Sequence, residues 1–250
     1  EKNWGLARSL NDGISKSLGD LVVTLHQDVI FEPNALSFLV EPFADPNIVA
    51  AGHVSVFPLA QWKKYSFWKK CFFARFTGKE FSGINGQFDC FRKNALEKVG
   101  LFDGKTFRSA GEDMDILYKL KKIGKIAYPK AKIIHLQSLD QNFDYKNIIF
   151  KQKQHSEARG TLLRLGRIED PANICKIFFR EIMIIFLLVP FLNIASLVLI
   201  VSYSFIYTWS VYFEEYKNPR IILLPFFNIY LLFVGFYYSL RGFIYGKQRI

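Results

Sequence analysis

The run Ser109-Ala110-Gly111-Glu112-Asp113-Met114-Asp115 leads straight into Ile116-Leu117-Tyr118-Lys119-Leu120-Lys121-Lys122-Ile123-Gly124. Ile116, Leu120 and Ile123 recur at i, i+4 and i+7, with Leu117 beside them, which makes one apolar face of a helix. Gly124 reads as the C-terminal stop, and the lysines fall in the last turn, where the helix dipole favours them. Glu112, Asp113 and Asp115 therefore sit at the N-terminal end of a rigid element. Two roles fit Glu112. Ser109, three residues before it, completes a capping-box pattern, and acids in a first turn stabilise a helix anyway. Equally, a helix start holds a carboxylate firmly in place for chemistry.

Upstream, Leu6, Leu10, Ile14 and Leu18 repeat every four residues, which predicts an amphipathic helix of about four turns closed at Gly19. The next run, Leu21-Val22-Val23-Thr24-Leu25, is apolar, mostly β-branched and too short for a helix. It reads as a buried strand of the parallel type. His26-Gln27-Asp28 follow at its carboxyl end, where ligands bind in open α/β sheets; an acid at a plain strand-to-loop turn fits Asp28 as well. Pro33 opens a helix-like stretch through Phe38 and Leu39, Asp45-Pro46-Asn47 is a turn, and Ile48–Val56 reads as one strand. Gly83 and Gly86 precede Gln87-Phe88-Asp89-Cys90-Phe91-Arg92, strand-like at its end. Asn94–Val99 is a short helix closed by Gly100, and Asp103-Gly104 is a turn. After the acid-rich helix come two short strand-like pieces around Pro129, the second ending at His135. Tyr145–Arg167 is basic and helix-compatible.

Two stretches point to a membrane. Trp62–Phe76 alternates aromatics with Lys63, Lys64, Lys69, Lys70 and Arg75; a lobe touching lipid headgroups and a plain solvated loop both fit it. Further on, Ile182–Phe213 and Ile221–Leu240 carry no charge at all, and each reaches the ~20 apolar residues that a span needs. Pro190 and Asn193 mark where extra or kinked residues of the first run would lie. Lys176 and Arg180 on one flank, and Arg241, Lys247 and Arg249 on the other, place both outer flanks in the cytoplasm by the positive-inside rule.

The totals agree with this picture. Half of the 250 residues are hydrophobic and 26 are Phe, heavy usage for a soluble chain. The net charge of +11 lies beside aromatic and apolar runs, which suits an anionic lipid surface or a phosphorylated substrate. No nucleic-acid motif accompanies it, so no nucleic-acid partner is expected. Cys71, Cys90 and Cys175 have no metal-ligand spacing, and their odd number argues against a disulfide framework; a reducing environment follows. The chain opens in what reads as mid-helix, without Met or signal peptide, so an upstream part is expected.

The order of pieces resembles the family 2 glycosyltransferases from about Asn3 to His135. The second half carries most of the likeness: Phe91-Arg92-Lys93, then Val99-Gly100-Leu101-Phe102-Asp103, Gly111-Glu112-Asp113-Met114-Asp115 and the strand ending at His135. The resemblance implies an α/β fold of the GT-A type, a Rossmann-like mixed sheet flanked by helices, followed here by a C-terminal transmembrane helical hairpin. It divides the chain into a transferase domain over 1–140 that lacks its first βαβ part, a basic helical connector over 141–181 and a two-helix membrane region over 182–250.

Roles carry over residue by residue. Asp28 matches the last acid of the family's metal motif and would hold Mg²⁺ or Mn²⁺ against the diphosphate of a nucleotide-sugar donor, with Gln27 and Gly86 beside the donor. Glu112-Asp113 match the family's acid pair, with Asp113 as general base. His135 matches a histidine that reaches the metal or diphosphate in some GT-A enzymes; a strand-end histidine bonded to backbone fits it too. The implied activity is a membrane-bound, multi-pass, inverting transferase of the hexosyltransferase type. Its catalytic domain faces the cytoplasm, and it uses a nucleotide-sugar donor, a lipid-linked or cell-surface glycan acceptor, and membrane lipids as partners. Two rivals are a polyprenyl-phosphate sugar synthase and a non-catalytic membrane scaffold on a degenerate transferase fold. The chain departs from the family in three ways: His26 replaces the first metal-motif acid, the first strand-helix-strand is missing before Glu1, and the Gln-x-x-Arg-Trp signature of processive synthases is absent near Gln154 and Arg159.

Overall fold

A computed structural model describes residues 5–136 and 142–250. The chain start and the boundary expected near residue 140 lie outside the described residues. In chain order the elements are α1 (Leu6–Lys16), β1 (Leu21–Leu25), β2 (Val29–Phe31), α2 (Ala35–Val40), β3 (Ile48–Ala51), β4 (His53–Val56), α3 (Leu59–Lys63), α4 (Phe67–Phe73), β5 (Glu80–Gly83), β6 (Phe88–Arg92), α5 (Lys93–Lys98), α6 (Glu112–Lys121), β7 (Lys125–Ala127) and β8 (Lys132–His135). They continue with α7 (Tyr145–Arg164), α8 (Pro171–Ile177), α9 (Phe179–Phe186), α10 (Asn193–Ile206), α11 (Trp209–Glu214) and α12 (Leu224–Tyr245). The chain divides into two compact units, one made of residues 1–58 and 78–138, the other of 59–77 and 139–250.

The first unit holds two mixed sheets, ordered β1-β6-β3-β7 and β2-β8-β4-β5. Alternation along β6 organises it. Phe88 and Cys90 face one core with Leu39, Phe43, Ala51 and Ile133, under α2. Phe91 faces the other, with Ile14 of α1, Leu96 of α5, and Ile116 and Leu120 of α6. Both faces of β6 are covered: Phe88, Cys90 and Phe91 are buried in the two cores, and Asp89 is buried with them.

Several expectations change here. β1 is antiparallel to β6 and forms the outer strand of its sheet, with Val23 and Leu25 exposed; β-branched content does not encode strand direction. The single strand expected over 48–56 is two strands in two sheets. They part at Gly52, where a Cβ would stand 2.4 Å from the Gly83 carbonyl oxygen. α1 ends at Lys16, because Ser17 turns extended while its N–H closes on the Gly13 and Ile14 carbonyls. The buried stripe is therefore Ala7 and Ile14 with Leu10, and Leu18 lies outside in solvent. The helix cap of α6 is Gly111 at φ 95°, with no side-chain cap; Ser109 lies two residues too early for a capping box. Gly124 follows the last turn of α6 at a bend, its N–H closing on the Leu120 carbonyl at 3.1 Å, and it also packs tightly: a Cβ there would meet Val49 Cγ1 at 2.4 Å.

In the second unit α7 lies against α12 at backbone contact. A Cβ on Gly160 would fall 1.8 Å from the Ser239 carbonyl oxygen, and one on Gly242 2.0 Å from that of Glu157. Small residues let two helices approach this closely. Polar groups are paired in the seam: buried Glu157 accepts from Arg241 Nε at 2.7 Å and from the Arg249 and Ile250 amides at 3.0 Å.

Among the described residues one segment, Pro219–Tyr245, is long and apolar enough to cross a membrane. The uncharged run 182–213 is not the single span expected from it. It breaks after α9, where Pro190 lacks an N–H and Phe191 takes φ 68°, and again between α10 and α11. At 14 residues, α10 is about 21 Å long, short of the ~30 Å hydrocarbon core. The uncharged segments thus form one long apolar helix and several shorter helices.

Candidate active site

The carboxyl end of β1 and the end of β8 meet in the first unit. β2, paired antiparallel with β8 from Val29↔His135, draws the two ends together, and the Leu136 amide donates to the Asp28 carbonyl at 2.7 Å. Asp28 Oδ1 lies 3.1 Å from His135 Nε2 and 4.0 Å from His26 Nδ1. One ligand atom from each of His26, Asp28 and His135 falls within 4.8 Å of the other two. Two imidazoles and a carboxylate form a donor set suited to a first-row divalent ion. His135 is buried, and burial first of all holds its pKa below the ordinary histidine value, against the raising effect of Asp28. A neutral ring is what a metal ligand needs. Gln27 is exposed and, among the described residues, forms no side-chain hydrogen bond. Gly86, at φ 83°, brings backbone close to the cluster: a Cβ there would lie 3.8 Å from His26 Nε2.

Behind the cluster runs a chain of buried hydrogen bonds that the sequence reading missed. Gln87 Nε2 faces His135 Nδ1 at 3.3 Å, and Ser55 Oγ donates to Gln87 Oε1 at 2.8 Å. His53 Nε2 meets Ser55 Oγ at 2.8 Å, and its Nδ1 meets Asp89 Oδ1 at 2.9 Å. The Asn85 and Gly86 amides donate to Asp89 Oδ2 at 2.9 and 2.6 Å. His53 and Asp89 are wholly buried. The available signal was spacing: His53-x-Ser55 puts two polar residues on one face of β4, and Gln87-x-Asp89 repeats the alternation at the entry to β6.

The acid pair occupies the first turn of α6. Glu112 is buried, and its Oε2 has no hydrogen-bond partner; burial raises its pKa. Asp113 is pushed up to about 6, by burial first, then by the charge of Glu112 and, more weakly, of Asp89, against the Met114 amide that donates to it at 2.8 Å. Asp89 therefore stands between the two predicted groups. Its field reaches Asp113, and its hydrogen bonds lead through His53, Ser55 and Gln87 to His135 and Asp28. Asp115 turns away and pairs with Lys119 one turn on.

A mixed α/β sheet flanked by helices, with acids and histidines gathered at strand ends, is the architecture of a GT-A-type sugar transferase. Residues 1–100, two fifths of the chain, match the family model described as glycosyl transferase family 2, which supports a glycosyltransferase domain in that part. No curated relative matches. Among solved structures, the mannosyltransferase PcManGT from Pyrobaculum calidifontis, in complex with GDP-Man and Mn²⁺, aligns over 98% of this chain and 68% of its own, at 14% identity and a TM-score of 0.51. At that identity the likeness is one of fold.

Proposed function

We propose that this chain moves a sugar from a nucleotide-sugar donor to a hydroxyl group of a lipid-linked or cell-surface glycan acceptor, inverting the anomeric centre. The observation that carries this reading is the convergence of His26, Asp28 and His135 in the same unit as a carboxylate, Asp113, whose pKa is drawn up to about 6.

Asp113 acts as general base. A carboxylate poised near neutral pH takes the acceptor proton as the new bond forms, and its place at a helix start keeps it oriented. Glu112 raises the basicity of Asp113 by its nearby charge. His26, Asp28 and His135 would hold a divalent ion, which when bound supplies positive charge to the departing diphosphate. Two imidazoles in the set favour Mn²⁺ over Mg²⁺, which prefers oxygen ligands; the structural neighbour carries Mn²⁺ with GDP-Man. Gly86 lets the backbone come close beside the donor. Gln87 fixes the ring of His135. The long apolar helix α12 anchors the chain in a bilayer, with its Lys247/Arg249 end on the cytoplasmic side.

Calorimetry with GDP-mannose and other nucleotide-sugars on the intact protein, with and without Mn²⁺, tests this directly. We expect Mn²⁺-dependent donor binding that Asp28→Asn weakens at least tenfold. Absence of binding under either condition would favour a scaffold built on a transferase fold.

A further inference from the structure

In the second unit cations from three elements converge. Lys151, His155 and Arg159 stand at i, i+4 and i+8 on α7, so they share one face. Arg180 joins them from α9, and its guanidinium bonds to Tyr203 of α10. Arg75, just beyond α4, lies over the Tyr207 ring at 5.6 Å. Glu181 is the carboxylate in this group; its Oε1 accepts from Arg159 at 3.2 Å and from Ser239 at 2.7 Å. Among the described residues, Lys151, Arg75 and Arg180 have no carboxylate within ion-pair distance, and Arg159 Nε is buried without a hydrogen-bond partner.

The charges are felt locally. His155 is exposed on α7, yet protein crowds its ring, and its pKa falls to about 4, from burial first and then from Lys151, Arg159, Arg75 and Arg180. Arg159 is itself drawn down to about 10 by burial and then by Arg180. Four permanent cations around one carboxylate leave a surplus of positive charge. That surplus raises the energy of the unliganded protein unless an anion offsets it.

We propose that this cluster binds a phosphate or diphosphate group, held by Arg75, Lys151, Arg159 and Arg180. Guanidinium forks match phosphate oxygens in pairs. Arg180 and the tyrosines bring the cluster to the edge of the uncharged helices, where a lipid-borne phosphate would sit; a free phosphate would meet the same donors. The inference goes beyond the sugar-transfer reading and does not depend on it, since phosphate binding is read without donor or turnover.

The test uses the intact protein in detergent and in nanodiscs. One arm titrates inorganic pyrophosphate. The other compares phosphatidylcholine nanodiscs with and without phosphatidic acid. The readouts are calorimetry and the ¹H–¹⁵N signals of the His155 ring, which a bound anion shifts toward the protonated form. We expect one arm to bind and to shift His155. Arg75→Gln and Lys151→Gln, both at exposed positions, should each weaken that binding about tenfold, while Arg75→Lys restores part of it. Binding in the pyrophosphate arm identifies a free phosphate, and binding confined to phosphatidic acid identifies a lipid-borne one. A His155 ring unmoved by both probes, or affinities unchanged in both Gln variants with melting curves intact, would overturn the proposal.

Discussion

Asp113 is held where its two protonation states are close in energy. Burial and the charge of Glu112 favour the acid form, and the Met114 amide favours the carboxylate. A general base works only when ionised, so transfer should be flat above pH 7 and fall about tenfold per unit below about 6. Glu112→Gln removes one raising influence, so the acid limb should move to lower pH in a pH–rate profile. The same shift has a stability cost. A carboxylate whose folded pKa lies above its unfolded one stabilises the fold fully below the unfolded value, and loses that contribution as pH rises through the folded value. Asp113→Asn should therefore raise the melting temperature at pH 8, by an amount that fades toward pH 4. Its ceiling is ~3 kcal/mol for a shift of about two units.

Gln87 carries a second prediction at this scale. In the structure its Nε2 faces His135 Nδ1, which leaves His135 Nε2 as the donor to Asp28. Coordination through Nε2 requires the proton on Nδ1 and the amide turned over. Gln87→Leu should weaken Mn²⁺ binding 10- to 100-fold, and Gln87→Glu, a pure acceptor, should preserve it; paramagnetic resonance of bound Mn²⁺ measures both. The acids of this site were legible in the sequence because Asp28 ends an apolar run and Glu112-Asp113 open a periodic one. The polar chain behind them was not. His53 and Ser55 lie on β4, Asp89 on β6 and Gln87 just before it, and the two strands belong to different sheets, so only the tertiary fold makes neighbours of the four.

Among the elements, α6 and α7 were predicted by pattern, and α12 by its lack of charge. Pattern failed where backbone geometry decides. Gly52 divides one apolar run between two sheets, and Pro190 with Phe191 splits the first uncharged run. The seam between α7 and α12 was invisible for a related reason: Gly160 and Gly242 signal nothing until two helices press their backbones together. Gly160→Ala or Gly242→Ala places a methyl group against a carbonyl oxygen, and overpacking of this kind costs ~1–3 kcal/mol or more. Either variant should melt several degrees lower in detergent, whereas Gly78→Ala, in open space at a loop, tests backbone strain alone and should cost less. Equal melting of Gly160→Ala and the parent chain would mean that the seam opens freely.

For the whole molecule, the basic surplus and the apolar helix act together. In the proposed membrane setting, electrostatic attraction to an anionic leaflet and burial of α12 would reinforce one another. Orientation can be read from the thiols. Burial raises the pKa of Cys71, and that of Cys90 to about 12, so neither thiol reacts readily. Cys175, exposed in α8 ahead of the uncharged run, should react with a membrane-impermeant maleimide in inverted vesicles and stay unlabelled in right-side-out ones. The reverse result would place the transferase unit outside.

The account as a whole stands on proton removal by Asp113 after the donor has bound. Single-turnover sugar transfer to a membrane-lipid extract, compared between the parent chain and Asp113→Asn at saturating nucleotide-sugar, isolates that step. We predict a rate 10²- to 10⁴-fold lower with the donor dissociation constant unchanged. An unaltered rate with intact donor binding would contradict the account.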